Sequence, residues 1–346
     1  MYALLDTMLL WAVRVRAGAA AAQQIAAAVE WLYPAAARNA ARYRRSRMLL
    51  RSLVHLAPTM RLLDCLWSSK PLMAVLRQHP CLAEKIHRPY GYKSLDAGAR
   101  ADQLVAHYQL VLRPPCAPLL LEAMQRDAVL AEFTGKGGAR YRLLLGSAQD
   151  LPKEGELMLR LECDGFSLLK TAFTFRHSNG VASLVIGCWQ GNKCPTSRDR
   201  IRDATRDLWG LRPRDLLLAG MQGLAAACAL KGMAGVGDAQ HIYRHWRERR
   251  RIAQSYDALW ADMGGIEGPD GLFSLPLARQ RRPLHDYPSN KRGAASRRHA
   301  LEDQLHAQLM AAFTASHPDQ RQARPGLPRS DENSMARSGW KTVAHG

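Results

Sequence analysis

Nowhere in this chain do about 18 uncharged apolar residues run together, so the sequence offers no membrane-spanning helix. An export signal is missing too, because Arg14 and Arg16 follow the first apolar run, whereas a secretory leader carries positive charge ahead of it. There is no Cys-x-x-Cys pair. The seven cysteines are odd in number and irregularly spaced, which argues against a disulfide scaffold and gives no metal-ligand pattern. Reduced thiols in the cytoplasm fit best, and no metal is expected. P-loop, GxGxxG and HExxH motifs are all absent, and no Ser-His-Asp order stands out, so nucleotidase, zinc-protease and serine-hydrolase readings have no support. Acidic residues are scarce as well: 30 Asp and Glu face 49 Lys and Arg, for a formal charge of +19. Such a surface attracts anions, whether nucleic acid, acidic lipid or phosphorylated ligand, or it simply keeps the protein soluble.

What is present is a chain of 346 residues, 47% apolar and 23% charged, enough for a globular core in one large domain or two modest ones. Residues 1–75 read as helical and Ala-rich, with Arg42, Arg44, Arg45, Arg47 and Arg51 clustered beside Met48, Leu49, Leu50, Leu53, Val54 and Leu56. That segment either packs on its own domain or lies on an acidic inner-membrane surface with arginines at the headgroups. His79-Pro80 and Arg88-Pro89 mark turns, and a helix is expected from Asp96 to Leu112.

Between Arg140 and Cys188 the period changes to two. Leu157, Leu159, Leu161 and Cys163 alternate with Met158, Arg160 and Glu162 as in a half-buried strand. Asp164-Gly165 supplies a hairpin turn, and Asn179-Gly180 a second, giving an antiparallel meander of about four strands. A basic helix follows, then a helix over 214–231 ended by Gly232, a strand over 233–236, a helix over 252–263 and another over 294–313. The fold class is therefore α+β: a helical N-terminal region (1–75), a domain over 76–315 in which the meander continues into helix, strand and helix, and a disordered tail over 316–346.

Polar groups gather where the sheet ends. Gln190 and Gly191 close a strand as ligand loops do, or as an ordinary turn does. His241 follows a strand end and suits proton transfer, although a lone histidine also serves as a hydrogen-bonded structural residue; Tyr243 could orient it or hold a ligand. Arg202 and Arg206 read as partners of Asp199 and Asp203 on a helix face. Cys188 and Cys194 flank the Gln190-Gly191 turn as reactive thiols or as small hydrophobes. The stretch Arg244–Arg251, with Trp246, mixes bases and aromatics in a way that suits nucleic acid or a solvated surface, the latter favoured.

Short motifs in order resemble the VirK/YbjX family of proteobacterial proteins over about residues 50 to 315: His79-Pro80, Arg88-Pro89-Tyr90, His107-Tyr108, Glu154-Gly155-Glu156-Leu157, Ile186 to Gly191, Arg202, Ala204-Thr205, Gly210-Leu211-Arg212-Pro213, His241-Ile242-Tyr243, Tyr256-Asp257, Trp260, Lys291-Arg292 and Arg297-Arg298. The resemblance implies a link to virulence, envelope stress and resistance to cationic peptides, with no established activity or cofactor. The order of elements also resembles the acyltransferase fold that takes acyl-CoA or acyl carrier protein donors. There the donor phosphates sit on a helix N-terminus after the central strand. The corresponding place here is Gly210, Arg212 and Arg214; the Gly-x-Gly spacing is missing and Pro213 lacks an N–H, so the two arginines would substitute. The expected function is thus an acyltransferase-like enzyme with an anionic donor. The alternatives are a non-enzymatic regulatory or ligand-binding factor, or a nucleic-acid-binding protein.

Overall fold

The computed structural model describes residues 2–34, 39–178, 180–243 and 255–315. The expected tail, Asn179 and the Arg244–Arg251 stretch lie outside them.

The N-terminal region is helical: α1 (Tyr2–Leu32), α2 (Asn39–Val54), α3 (Leu56–Trp67) and α4 (Lys70–Gln78). Within α1, Gly18 adopts a φ of 90°, a left-handed conformation open to glycine. There the helix folds back on itself. Asp6 and Glu30 both meet the Arg45 guanidinium, whereas a straight helix would hold them about 36 Å apart. A 3-10 turn (Pro80–His87) leads to α5 (Ala97–Val111), capped by the Asp96 side chain on the Ala99 N–H, and then to α6 (Ala117–Gln125).

The sheet has eight strands among the described residues, in the order β1-β2-β3-β4-β5-β6-β8-β7. Five form an antiparallel meander: β1 (Ala128–Thr134), β2 (Arg140–Ser147), β3 (Leu157–Cys163), β4 (Phe166–Ser178) and β5 (Val181–Gly191). Asp164 and Gly165 turn between β3 and β4 with φ of 47° and 78°, the positive pair that a two-residue hairpin needs. The meander is one strand longer than the alternation suggests. A bulge between Val129 and Ala131 breaks the period-two pattern of β1, and alanines and Glu132 favour helix, so the strand is held by its pairing with β2.

After β5 come α7 (Ser197–Asp207) and α8 (Pro213–Ala227), and then β6 (Gly232–Val236), which pairs with β5 in parallel. Gly232 opens β6 and does not end α8. The helix stops four residues before Lys231, with Ala229 left-handed at φ 51° and the Leu230 N–H donating to the Ala225 carbonyl. Next are α9 (Tyr256–Asp262), the short β7 (Ile266–Glu267) and β8 (Leu272–Ser274), and α10 (Ser289–Ala315). Helix α8 packs on β3 and β4, α10 on β1 and α8, and α5 along β4. One apolar cluster extends from Leu9 to Phe313, so the N-terminal helices share the core of the sheet.

A segment between β2 and β3 crosses the middle of the sheet. A Cβ on Gly187 would lie 1.9 Å from the Glu154 carbonyl oxygen, and one on Gly155 would lie 2.6 Å from the Phe173 nitrogen. Only glycines permit this backbone contact. Replacing Gly187 by Ala should therefore destabilise the protein by about 3 kcal/mol. The Gly293→Ala change, in open space within α10, should be neutral or stabilising by up to about 1 kcal/mol. Urea unfolding of the two variants measures the difference.

Candidate functional site

The crossing segment carries Glu154 and Glu156, and each reaches a different cleft. Glu154 lines a cleft of about 810 Å³ with Gln190, Gly191, His241, Tyr243 and Tyr256, rimmed by Arg160, Lys170 and Lys193. Four of the residues singled out from sequence, Gln190, Gly191, His241 and Tyr243, meet here. Arg202, Arg212 and Arg214 line a separate groove of about 430 Å³, floored by Leu169, Ile201 and Pro213. Gly210 lines neither; with φ 87° it makes the turn before α8, beside Arg298. The two clefts lie on opposite faces of β4 at the Gly191 end of β5. Adjacent strand residues point to opposite faces, and Leu169 lines the groove while Lys170 lines the cleft.

The cleft sits where the parallel pair separates. Ser183, Leu184, Val185 and Ile186 pair with Gly232, Met233, Ala234 and Gly235, and from Gly187 onward β5 has no β6 partner. In the opening, the Trp189 N–H donates to the Tyr256 phenol oxygen at 3.4 Å instead of to a strand. Helix α9 brings Tyr256 there because the Ser255 side chain caps the Ala258 N–H, and Asp238 at the end of β6 accepts from the Ser255 hydroxyl and the Tyr256 N–H. Burial pushes the Tyr256 phenol well above its ordinary pKa, so it stays protonated.

His241 and Glu154 form the polar centre. Both are about 98% buried, and the His241 Nε2 lies 3.5 Å from a Glu154 carboxylate oxygen. The Tyr243 N–H donates to Nδ1 at 3.4 Å, which leaves the proton of a neutral ring on Nε2. That nitrogen has no hydrogen bond of good geometry among the described residues, so it is open to a third atom in the cleft. The ring stacks on Tyr256 at 4.5 Å, and the Gln190 amide donates to both Glu154 oxygens at 3.4 and 3.3 Å. With Nδ1 occupied and the proton of the neutral ring on Nε2, His241 is a donor here, and the Glu154 carboxylate is the group that can take a proton from a bound nucleophile. Cys188 cannot act as a ready nucleophile, because burial pushes its thiol well up. Cys194 is exposed and held somewhat low by the Thr196 hydroxyl.

Glu156 reaches a smaller, more enclosed cleft of about 290 Å³ with Lys85, Arg88 and Tyr90. It accepts from the Lys85 ammonium at 2.5 Å and the Tyr108 phenol at 2.7 Å. Burial alone would raise its carboxyl, but Lys85, His107 and Tyr108 hold it below the usual carboxylate range. His107 is fully buried, accepts the Phe175 N–H at 3.2 Å, and is pushed down to about 4 by burial.

Sequence reasoning missed Glu154 and Tyr256 as site residues, although both fall within the family motifs. The signal was an acidic pair around a glycine just ahead of an apolar strand. Among the described residues no group of three or more His, Cys, Asp or Glu converges as metal ligands would. No described helix is long and apolar enough to cross a membrane.

Fold and site thus define an α+β protein with a buried Glu–His pair at the opening of a mostly antiparallel mixed sheet. The chain belongs to the family described as "Protein of unknown function (DUF535)", matched over residues 38–311. It is 27% identical to the uncharacterized protein YbjX of Escherichia coli K12 over 274 residues, 78% of this chain and 83% of that one. An uncharacterized protein of Haemophilus influenzae is 32% identical over 137 residues, 39% of this chain and 45% of its own length. A second from the same organism is 27% identical over 165 residues, 48% and 55% of the two chains. No solved structure matches.

The buried histidines set the acid limit of stability. His107 has a folded pKa of about 4 and His87 of about 3, against 6.5 unfolded. Their contribution is full above pH 6.5 and is lost as pH falls from 6.5 through those values, because the unfolded chain takes up protons that the folded one refuses. Each contributes a slope of about 1.4 kcal/mol per pH unit. Glu156 acts in the same direction lower down, losing its contribution as pH falls through its depressed value. In denaturant titrations at several pH values, His107→Gln should lower the slope between pH 4 and 6.5 by about that amount. An unchanged slope would mean that His107 is protonated in the folded state.

Proposed function

We infer that the protein is an acyltransferase-like enzyme that moves an acyl group from a thioester donor carrying phosphate to an amine or hydroxyl acceptor. The observation that carries this reading is the opening between β5 and β6, with the Glu154–His241 pair on its edge and Tyr256 inside it. A meander whose last strand pairs in parallel with the next and then diverges resembles the acyltransferase arrangement.

In this reading the donor phosphates lie in the arginine groove. Arg202, Arg206, Arg212 and Arg214 surround an apolar floor there, and α8 begins without a side-chain cap. Pro213 contributes no N–H, so the guanidinium groups carry the anion. The pantetheine arm then passes the Gly191 end of β5 into the opening, where the Trp189 N–H receives the thioester oxygen. The acceptor enters from the Glu154 face. Its proton goes to the Glu154 carboxylate as its nitrogen or oxygen attacks the carbonyl carbon; the carbon–sulfur bond breaks, the Tyr256 phenol donates a hydrogen bond to the leaving thiolate, and the thiolate and Glu154 then exchange protons with solvent.

A regulatory ligand-binding role with the same clefts is the competing reading. The nucleic-acid reading, through the protein's basic face, drew in part on Trp246 and its neighbours, which lie outside the described residues. Calorimetric titration with coenzyme A and acyl-CoAs, together with thiol release in the presence of amine and hydroxyl acceptors, separates these readings. Binding should weaken about tenfold or more in the double variant Arg212→Ala, Arg214→Ala. Glu154→Gln should keep donor binding and slow thiol release about 100-fold or more. Binding without thiol release would favour the regulatory role, and no binding of any coenzyme A species would end the acyltransferase reading.

A further inference from the structure

The first limb of α1, ahead of Gly18, is apolar on two sides. Its inner side buries Leu9 and Val13 and pins Asp6 to Arg45. Its outer side leaves Leu4 72%, Met8 68%, Trp11 67% and Val15 64% exposed. At about 100° per residue these four fall within an arc of about 60°, a continuous stripe about 16 Å long. Arg14 and Arg16, both exposed, lie about 90° to 110° to either side of the stripe's centre. Soluble proteins scatter exposed apolar side chains singly, and a contiguous run at helical spacing marks a contact surface.

We propose that this limb docks on an anionic lipid bilayer, lying flat with the stripe in the headgroup–acyl boundary and the arginines at the phosphates. The charge decides between occupants. A second copy of this chain would bring the same arginines and a net charge of +19 against themselves. An acidic lipid surface complements both, and Trp and Arg beside an apolar stripe are the composition of interfacial helices. The face expected from sequence on α2 is split: Met48 and Leu49 are buried in the core, whereas Leu50 and Val54 are exposed. Exposed Arg42, Arg44 and Tyr43 on α2, which packs on α1, extend the basic surroundings.

The test is co-sedimentation of the full chain with vesicles of phosphatidylcholine, with and without phosphatidylglycerol. Binding should require phosphatidylglycerol and fall as salt rises. It should drop about tenfold or more in Met8→Glu, Trp11→Glu and, separately, in Arg14→Glu, Arg16→Glu. These side chains point to solvent, so the melting temperature should hold, and a melting check shows that the variants are folded. Absence of binding to anionic vesicles, or binding that folded Met8→Glu, Trp11→Glu protein retains, overturns the proposal. So does a dimer in solution that the same substitutions disperse while vesicle binding is absent.

Discussion

Two missing side chains hold the protein's design together. Gly187 and Gly155 let the segment before β3 lie backbone-to-backbone across β4 and β5. Any Cβ at Gly187 would collide with the Glu154 carbonyl, so the crossing depends on the residue with no side chain. Because the segment is fixed there, Glu154 faces one cleft and Glu156 the other, two residues apart in sequence. The same crossing occupies the place where β5 leaves β6. The sheet therefore opens beside a carboxylate.

Electrostatics divides along the same lines. The chain has a large surplus of basic residues, but several acids are buried and matched: Glu156 to Lys85 and Tyr108, Glu154 to Gln190 and His241, Glu302 to Arg279 and Arg281. A buried carboxylate without such partners would be strongly destabilising, so these pairs explain why the acids sit where they do. On the surface, Arg202, Arg206 and Arg214 at the α7–α8 groove pair with Asp199, Asp203, Asp215 and Asp262, while Arg14 and Arg16 flank the exposed stripe on the first limb of α1.

Much of the fold was legible. The period-two run from Leu157, the Asp164-Gly165 turn and the helix after Asp96 each depend on residues within a few positions of one another, and the structure has all three. The reversal of α1 at Gly18 was not legible, because a lone glycine in an Ala-rich run is tolerated in helices as well as at bends. Strand β1 was hidden by its bulge, and the end of α8 by an alanine in a conformation usually left to glycine. For the site, His241, Tyr243, Gln190 and Gly191 converge in one cleft, while Arg202, Arg212 and Arg214 gather on the other face of the sheet. That separation depends on strand register, which local sequence does not specify. Glu154 was hidden for a similar reason: its role comes from a crossing made possible by Gly187, more than thirty residues away.

In the proposed function, the opening between β5 and β6 receives an acyl donor whose phosphates rest in the arginine groove on the far face. Hydrogen–deuterium exchange with and without millimolar coenzyme A addresses it directly, because the Trp189 N–H donates to the Tyr256 phenol at 3.4 Å inside that opening. Exchange should slow in peptides covering residues 187–193 and 210–216, with little change elsewhere in the sheet. Unchanged exchange in both regions, or protection confined to the N-terminal helices, would contradict it.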